Sequence, residues 1–368
     1  MKIIHILPSL KGGGIQNFLF SLIPEQLKLG HNVSVIVSDE DNNDYSDKQK
    51  HTLEALGVKV YNLNRRVSDK WSSVKTWFIC RNLVKKLKPD ILNSHGIYCH
   101  TAASFATFGS STIHCCTIHN GPEVWGRLCK LVNRNTPLIF CSEAAMQLRA
   151  QNSTEMVAIN NGMELSKIRV ESKTDLRKEL GIPDTDKIVV LVGSPRPAKN
   201  YPFLKKIVED IKNDHIHFCI CGGQYKVDRK GSNNENYIDL TQFSESSNIH
   251  LLGLRDDIPS ILNDADVYLS CSVKEGLPIS ALEGFFSGIP CVLSPILQHK
   301  MISGDIDSCY IPRKFKSEDF VECIIKALSN SYTHEEIYSL REGALRNFRI
   351  DRCAKEYIAY YKKILNEK

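Results

Sequence analysis

The sequence predicts an α/β protein built from two Rossmann-like domains in tandem, and three observations support this prediction. The chain has 368 residues, which is longer than a single hydrophobic core usually accommodates. Short apolar runs alternate with longer segments of helical periodicity, and this alternation is typical of a parallel sheet covered by helices on both faces. The alternation stops in a polar stretch over Met163–Asp186, where we expect the linker, and starts again at Lys187.

The first series begins with the strand-like run Lys2–Leu7, followed by a helix over Ile15–Leu29 that Gly30 ends. Helix-like segments separate the later apolar runs, so the strands should be parallel. The further strands expected in this series are Val33–Val37, Val58–Leu63, Ile91–Ser94, Ile113–Ile118 and Leu138–Cys141.

The second series repeats this order, with strands expected at Ile188–Val192, His217–Cys221, Ile249–Leu252, Val267–Ser270 and Cys291–Leu293. We therefore expect one domain over 1–165, a second over 166–350, and a C-terminal helix over 351–368 that packs back towards the first domain. Ligands of open α/β sheets bind at the carboxyl ends of the strands. Two such domains facing each other predict an interdomain cleft with one ligand on each side.

The composition is that of a globular protein, with 42% hydrophobic and 24% charged residues. No apolar run approaches the roughly 20 residues needed to span a bilayer, and MKIIHILPSLKGGG lacks a secretory signal, so we expect a cytoplasmic protein. The thirteen Cys lack zinc-type spacing and are expected as buried, reduced thiols. The net charge of +5 arises in residues 1–170, which favours an acidic partner such as a membrane surface or an anionic acceptor rather than nucleic acid.

Glycines follow the first strand in Lys11-Gly12-Gly13-Gly14, and such a loop lets the backbone approach a ligand and aim N–H groups at it. Asn17 stands where the dinucleotide fingerprint has its third glycine, so a dinucleotide cofactor is disfavoured. Taken alone, the loop is equally compatible with a tight strand–helix turn that binds nothing.

Two loops of the second series have a similar character. Gly222-Gly223 follows the strand that ends at Cys221, and Gly193–Asn200 follows the strand that ends at Val192. The second loop contains Arg196 and Lys199, a planar fork and a point charge that together suit a diphosphate. The alternative interpretation is a solvated loop.

The segment EGLPISALEGFFSGIP, at 275–290, contains two carboxylates among apolar residues. Glu275 lies in a loop at a strand end, and Pro278 suits the first turn of a helix over Pro278–Phe286. Glu283 then lies about one and a half turns into that helix. This arrangement suits hydroxyl recognition at two points of an extended, polyhydroxylated, phosphate-bearing ligand, and the alternative is a capping acid with a surface acid.

The spacing Glu275-x7-Glu283 resembles the signature of the retaining glycosyltransferases of family 4, and the similarity continues upstream through HLLGLRDDIPSILNDADVYLSCS. VGSPRPAKN resembles the phosphate-binding loop of that family, NNGME its segment before the linker, and KGGGIQN its N-terminal glycine loop. The resemblance is strongest over 187–296. It implies the GT-B fold and a bacterial sugar transferase of the polysaccharide or lipopolysaccharide type, with the acceptor-side domain first and the nucleotide-sugar-binding domain second.

The resemblance also implies roles for individual residues. Glu283 would bind the donor ribose, Glu275 the transferred sugar, and Lys199 the departing diphosphate. His119, in TIHNG, would lie near the donor sugar, although a lone strand-end His is otherwise more often structural. The other implied donor-binding positions are Gly13, Gly14, Gly222, Leu254, Arg255, Gly276, Leu277 and Pro278, of which Leu254 and Arg255 would contact the nucleobase.

One departure concerns the phosphate loop, because Ser194 stands where the family pattern has Arg. We expect Arg196 to take the same phosphate. No Asp-x-Asp stands at a strand end and no well-placed nucleophile is evident, so the resemblance implies a metal-independent, front-face reaction without a cofactor. Lys199, Arg196 and helix N-termini would stabilise the leaving diphosphate.

Several alternatives stay open at this point. A hydrolase or epimerase on the same scaffold is one, and a catalytically silent nucleotide-sugar sensor or assembly scaffold is another. Intact Lys199, Glu275 and Glu283 argue against a silent protein. UDP- and GDP-linked hexose donors are both compatible with these loops, and the acceptor is expected to be a glycan or a lipid-linked glycan.

The stretch Lys70–Lys88, KWSSVKTWFICRNLVKKLK, combines apolar residues at helical spacing with six cations. One interpretation is a helix that packs its apolar face on the sheet and exposes its lysines to solvent. The other adds that the basic outer face and an exposed Trp rest on an anionic membrane, which would make the protein peripheral on the inner face of the plasma membrane.

Overall fold

A computed structural model describes residues 1–11, 13–41, 44–120, 123–149, 152–164, 175–223, 238, 240, 243, 246–303 and 308–367. The chain forms two compact units. Unit 1 combines Met1–Glu164 with Asn347–Lys368, and unit 2 is Leu165–Arg346.

The described part of unit 1 contains one parallel sheet. Its strands are β1 (Lys2–Leu7), β2 (Asn32–Asp39), β3 (Lys59–Arg65), β4 (Ile91–His95), β5 (Ile113–Ile118), β6 (Leu138–Phe140) and β7 (Met156–Ala158). Their order in the sheet is β3-β2-β1-β4-β5-β6-β7, so the central strands β1, β4 and β5 lie side by side. The helices between them are α1 (Gly14–Lys28), α2 (Asp44–Ala55), α3 (Lys70–Leu87), α4 (Ile97–Thr107), α5 (Arg127–Val132) and α6 (Glu143–Gln147).

Strand β4 carries buried polar side chains in its second half, where central strands of parallel sheets are usually apolar. Each of these groups is hydrogen bonded, as burial requires. The Asn93 amide donates to the Tyr361 hydroxyl at 2.7 Å, and the Ser94 hydroxyl lies 2.7 Å from His114 Nε2. The carboxyl end of β4 is therefore a buried polar region.

Unit 2 has the same architecture within its described residues. Its strands are β8 (Lys187–Val192), β9 (Ile216–Cys221), β10 (Ile249–Gly253), β11 (Val267–Ser270), β12 (Cys291–Leu293) and β13 (Cys309–Tyr310), in the parallel order β10-β9-β8-β11-β12-β13. Its helices are α7 (Leu176–Leu180), α8 (Tyr201–Ile211), α9 (Ile258–Asn263), α10 (Ile279–Phe286), α11 (Leu297–Ser303), α12 (Ser317–Leu328) and α13 (His334–Leu345).

Helix α14 (Ile350–Asn366) follows unit 2 in the chain but belongs to unit 1. Its buried face, which includes Tyr357 and Tyr361, joins the core formed by α1 and the central strands. The chain returns to unit 1 beside Gly162, where an added Cβ would lie 2.4 Å from the Cα of Ile350. Glycine is therefore required where these two segments of unit 1 pass each other.

The two-domain α/β prediction is confirmed, and three local expectations are corrected. The polar stretch Met163–Asp186 is not linker throughout, because α7 forms inside it as part of unit 2. Helix α10 begins at Ile279, with Pro278 as its N-cap rather than its first helical residue. The apolar residues of α3 do not all face the sheet. Thr76, Cys80 and Val84 are buried, whereas Trp71 is exposed.

Candidate active site

Two glycine loops of unit 2 meet after β8 and β9. A Cβ on Gly222 would lie 2.1 Å from the Gly193 carbonyl oxygen, and a Cβ on Gly193 would lie 2.8 Å from Cε of Lys199. A side chain at Gly222 would therefore collide with the Gly193 backbone, whereas a side chain at Gly193 would displace the Lys199 stem. Gly222 was predicted to bind the donor, and within unit 2 it supports the loop that carries Lys199.

Lys199 and Glu275 form the central contact of the site. Lys199 Nζ lies 2.7 Å from Glu275 Oε1 and 3.4 Å from the Ser280 hydroxyl, and the Lys199 and Glu275 side chains are only 21% and 13% exposed. The two loops that carry them are also joined through the backbone, since Val273 N–H donates to the Ala198 carbonyl at 2.8 Å. A cation and a carboxylate predicted from separate motifs are thus brought together.

The charge of Glu275 is maintained in spite of its burial. Burial acts to raise the pKa of this carboxyl, but the Lys199 ammonium and hydrogen bonds from Lys199 and Ser272 outweigh it, and the net pKa is lowered. The Ser272 hydroxyl donates to Glu275 Oε1 at 2.7 Å. The Glu275 main chain is held as well, because the Gln298 amide donates to its carbonyl at 2.5 Å.

Glu283 has a different environment one helical turn into α10. Burial raises the pKa of its carboxyl to about 7, even though the nearby Lys199 charge acts to lower it. The described residues offer its carboxylate no hydrogen-bond partner. A desolvated acid without a protein partner is a candidate ligand-binding group.

The segment between the two acids forms the approach to α10. Gly276, Leu277 and Pro278 are all buried, and Ile279 N–H donates to the Leu277 carbonyl at 2.9 Å. The first N–H groups of a helix lack intrahelical acceptors and carry partial positive charge. The two carboxylates thus flank a helix N-terminus suited to an anionic group.

Sequence reasoning missed His299, which follows the Ser294 turn into α11. His299 is fully buried, and its Nδ1–H donates to the Ser294 carbonyl at 3.0 Å. Burial lowers the pKa of His299 to about 4, so the ring is neutral and its Nε2 is an acceptor. This Nε2 has no partner among the described residues. Only its position after a strand end, in SPILQHK, could have suggested a site residue.

Arg196 and Ser194 lie in the same loop as Lys199, but Arg196 is an exposed residue. The Arg196 N–H donates to the Ser194 carbonyl at 2.7 Å, and the Lys199 N–H donates to the Arg196 carbonyl at 2.9 Å. Lys199 is therefore the loop cation that contacts Glu275.

The two predicted nucleobase contacts differ in their surroundings. Leu254 follows β10 and is 81% exposed. The Arg255 guanidinium is held between two acids, with Nη1 2.6 Å from Glu179 Oε1 and Nη2 2.7 Å from Asp257 Oδ2. Hydrogen bonds to Asp257 and then Glu179 raise the pKa of Arg255. Arg255 therefore has a structural role within unit 2, whatever it contacts in a ligand.

The predicted glycines of unit 1 lie at the start of α1. Gly13 is the N-cap with φ of 136°, a conformation that favours glycine, and its carbonyl accepts from Asn17 N–H at 3.0 Å. Gly14 is the first helical residue and has open space around its Cα. Gly12 lies outside the described residues.

His119 follows directly after β5 and ends a row of hydrogen-bonded side chains. His119 Nε2 lies 2.8 Å from His95 Nδ1, and His95 Nε2 lies 3.0 Å from His5 Nδ1. His5 Nε2 in turn lies 2.9 Å from Gln26 Oε1. Burial lowers the pKa of His119 to about 3, so the ring is neutral. Sequence reasoning identified His119 but not the three side chains behind it.

All thirteen cysteines are free, and all but Cys309 and Cys323 are buried. Within the described ranges, no group of three or more His, Cys, Asp or Glu side chains could hold a metal ion. None of the described helices combines the length and the apolar character that crossing a bilayer requires.

Two family models match this chain. The model described as Glycosyltransferase Family 4 matches residues 12–167, and the model described as Glycosyl transferases group 1 matches residues 172–342. The first range contains Gly13, Gly14 and His119, and the second contains Lys199 and the two acids. The two ranges correspond to the two α/β units.

Individual relatives agree with these models. The chain is 24% identical over 310 residues to UDP-Gal:alpha-D-GlcNAc-diphosphoundecaprenol alpha-1,3-galactosyltransferase of Escherichia coli, covering 75% of this chain and 77% of that protein. Among solved structures, a glycosyltransferase from Rickettsia africae aligns with a TM-score of 0.79 at 15% identity, covering 100% of this chain and 99% of that one. Anabaena Alr3699/HepE, solved with UDP and glucose, aligns with a TM-score of 0.78 at 16% identity, covering 99% and 100%.

The fold and the matched models define this protein as a glycosyltransferase enzyme of the GT-B class. The chain belongs to the bacterial glycosyltransferases of family 4 type, which confirms the family, the fold and the enzyme class predicted from its sequence.

Proposed function

We propose that this chain transfers a hexose-type sugar from a UDP- or GDP-linked donor to a glycan or lipid-linked glycan, with retention of configuration and without a metal ion. The observation that carries the proposal is the Lys199–Glu275 pair beside an unpaired Glu283 at the start of α10. These groups offer one cation for a diphosphate and two carboxylates for hydroxyl groups, the set of contacts that a nucleotide sugar requires.

Lys199 acts on the leaving group. As the bond from the sugar C1 to the diphosphate breaks, negative charge grows on the phosphate oxygen, and a fixed ammonium in a partly desolvated site stabilises that charge. Glu275 positions Lys199 in the absence of donor through the 2.7 Å contact. When donor binds, Glu275 accepts hydrogen bonds from the sugar and Glu283 accepts them from the ribose.

Retention is proposed because the sequence resembles the retaining glycosyltransferases of family 4, and a front-face reaction is proposed because the described residues of the site offer no well-placed nucleophile for a double displacement. Glu275 Oε1 already accepts from Lys199 and Ser272, which lowers its nucleophilicity. The acceptor hydroxyl oxygen therefore attacks C1 from the face that the diphosphate leaves. One C–O bond forms while the C1–O bond to phosphate breaks, and the leaving phosphate oxygen takes the hydroxyl proton.

One experiment tests transfer, stereochemistry and metal dependence together. The purified protein is incubated with UDP- and GDP-linked hexoses and a diphospholipid-linked GlcNAc acceptor, in buffer with EDTA. This acceptor is chosen because the Escherichia coli relative is named for one. We expect nucleoside diphosphate release that depends on the acceptor, and a product with the anomeric configuration of the donor by NMR. An inverted product would refute the front-face reaction, activity restored only by added Mg²⁺ would refute metal independence, and donor binding without release would identify a sensor.

We also propose that the segment 70–88, which comprises α3 and its C-cap Lys88, rests on an anionic membrane surface. Trp71 and Phe78 are 82% and 55% exposed, although both are large and apolar. Helix α3 exposes Lys70, Lys75, Lys85 and Lys86. Neither α3 nor the helices α4 and α5 contain an acidic residue that could offset this charge. Exposed aromatic groups among unpaired positive charge favour the headgroup region of an anionic bilayer.

Liposome sedimentation tests this second proposal. The protein should pellet with anionic vesicles at low salt and be released at high salt, because each Lys near the surface contributes about 1 kcal/mol that salt screens. Replacing Lys75, Lys85 and Lys86 with Ala should abolish pelleting. The control is the Lys205→Ala, Lys206→Ala variant, which removes two exposed lysines from α8 of unit 2. Equal pelleting of the α3 variant and the wild type would exclude α3 as the contact.

A further inference from the structure

A row of four side chains crosses the central strands of unit 1 and ends at His119. His5 lies in β1, His95 is the last residue of β4, and His119 follows β5 directly. Since β1, β4 and β5 are neighbours, the three rings lie in series, with centroids 5.2 Å apart between His5 and His95 and 5.1 Å apart between His95 and His119. Gln26, on α1, closes the buried end of the row.

The hydrogen bonds of this row must all point the same way. A neutral imidazole has one N–H donor and one acceptor nitrogen, so a ring that donates on one side accepts on the other. His5, His95 and Gln26 are fully buried, and burial lowers the pKa of His5 to about 4 and the pKa of His95 well below its usual value. All three rings are therefore neutral, and the direction of one bond determines the direction of the others.

The orientation assigned to the Gln26 amide sets this direction. Its Oε1, which can only accept, lies 2.9 Å from His5 Nε2, so His5 carries its proton on Nε2. His95 then donates from Nε2 to His5 Nδ1, and His119 donates from Nε2 to His95 Nδ1. The cost of this orientation is that Gln26 Nε2 has no hydrogen-bond partner among the described residues.

We propose that Gln26, acting through His5 and His95, fixes His119 in the Nε2–H tautomer, so that its Nδ1 presents a lone pair that accepts a hydrogen bond from a ligand hydroxyl. The described residues offer Nδ1 no hydrogen bond. Phe18 packs edge-on against the His119 ring at 5.6 Å between centroids and helps to hold its orientation. Gln26, His5 and His95 are thus positioning residues. That Nδ1 accepts a hydrogen bond from a sugar hydroxyl rests on the proposed function, whereas the assignment of the tautomer does not.

Tautomers are read directly from long-range ¹H–¹⁵N NMR spectra of protein labelled with [¹⁵N]histidine, without substrate or turnover. Loss of signals in His119→Asn, His95→Asn and His5→Phe assigns three of the twelve histidines. We expect His5, His95 and His119 all as Nε2–H tautomers in the wild type. An Nδ1–H tautomer at His119 would overturn the proposal.

The variant Gln26→Met removes the acceptor while preserving an unbranched side chain. His119 should then become a mixture of both tautomers, and the kcat/KM for donor should fall about tenfold, the effect of one neutral hydrogen bond. The matched control is Gln147→Met, at an exposed position of α6, and it should leave the His119 tautomer unchanged. The internal control is His114, which is buried in the same unit but bonded to Ser94 and should keep its own tautomer in Gln26→Met.

Should Gln26→Met fail to fold, His5→Phe interrupts the row while filling the space of the ring. His119 should then also become a mixture of both tautomers. A His119 that stays purely Nε2–H in a folded variant of either kind would show that the row does not determine it. If His119 becomes a mixture of tautomers as expected but the transfer kinetics stay unchanged, the row does fix the His119 tautomer, and its use in the proposed reaction is refuted.

Discussion

Replacing Glu283 with Gln should raise the free energy of unfolding at neutral and alkaline pH but not at acidic pH. An unperturbed Glu ionises near pH 4.5, whereas burial raises the pKa of Glu283 in the folded protein to about 7. Between these values the folded protein holds a proton that the unfolded chain has released. The stability of the wild type therefore falls as the pH rises through this window.

The size of this effect follows from the two pKa values. Each pH unit of difference corresponds to about 1.4 kcal/mol, so the cost accumulated between pH 4.5 and pH 7 is about 3 kcal/mol. The glutamine variant avoids this cost because it stays neutral. Its donor affinity should nevertheless fall, since an amide replaces a charge-assisted hydrogen bond, and truncation to Ala should weaken binding further, by roughly 1.5–3 kcal/mol in total.

The assay is urea denaturation at pH 5, 6, 7 and 8, followed by far-UV circular dichroism. Trp71, Trp77 and Trp125 all lie in unit 1, so fluorescence recorded in the same samples reports that unit separately. Glu209→Gln, at an exposed position of α8, is the control in unit 2. If the difference between Glu283→Gln and wild type is the same at pH 5 and pH 8, Glu283 ionises normally in the folded protein and the reasoning fails.

Other substitutions separate the remaining roles. Lys199→Ala should lower kcat more than donor affinity, because leaving-group charge grows in the transition state, and steady-state kinetics together with calorimetry measure both. Arg196→Ala should also slow turnover, and a wild-type rate would show that this exposed arginine does not act on the phosphate. Arg255→Ala should lower Tm because it removes the hydrogen bonds that the guanidinium donates to Glu179 and Asp257, and an unchanged Tm would contradict the structural role. Leu254→Ala should change donor affinity at constant Tm, and an unchanged dissociation constant for UDP- and GDP-linked donors would remove Leu254 from the nucleobase site.

The parts of this protein that follow from local pattern were predictable from its sequence. The apolar run of β8 identifies a buried strand, and the cations after it and the acids around α10 identify strand-end loops. The spacing could not show that Lys199 and Glu275 would pair. Their contact depends on β8 and β11 being neighbours in the sheet, which joins residues 76 positions apart.

The histidine row is a second feature that the sequence pattern could not predict. His5, His95 and His119 occur in three unrelated segments, KIIHIL, ILNSH and TIHNG, each of which looks like an ordinary strand or strand end. Only the order β1-β4-β5 brings them into series. A buried polar network across a sheet is a property of strand order, and periodicity along the chain does not determine strand order.

The position of α14 makes unit 2 an insertion within unit 1, and this affects the order in which the nascent chain can fold. Residues 165–346 are contiguous and can fold as soon as they have left the ribosome. The core of unit 1 stays incomplete until residues such as Tyr357 and Tyr361 have been synthesised, and it closes where Met163 N–H donates to the Phe348 carbonyl at 2.8 Å. Met163 and Arg349 pair in parallel, so residues 164 and 347 must be joined by a flexible linker that turns back between these segments. A shortened gene with such a linker should therefore yield a folded unit 1, whereas residues 1–164 alone would leave the apolar face of α1 uncovered and should aggregate.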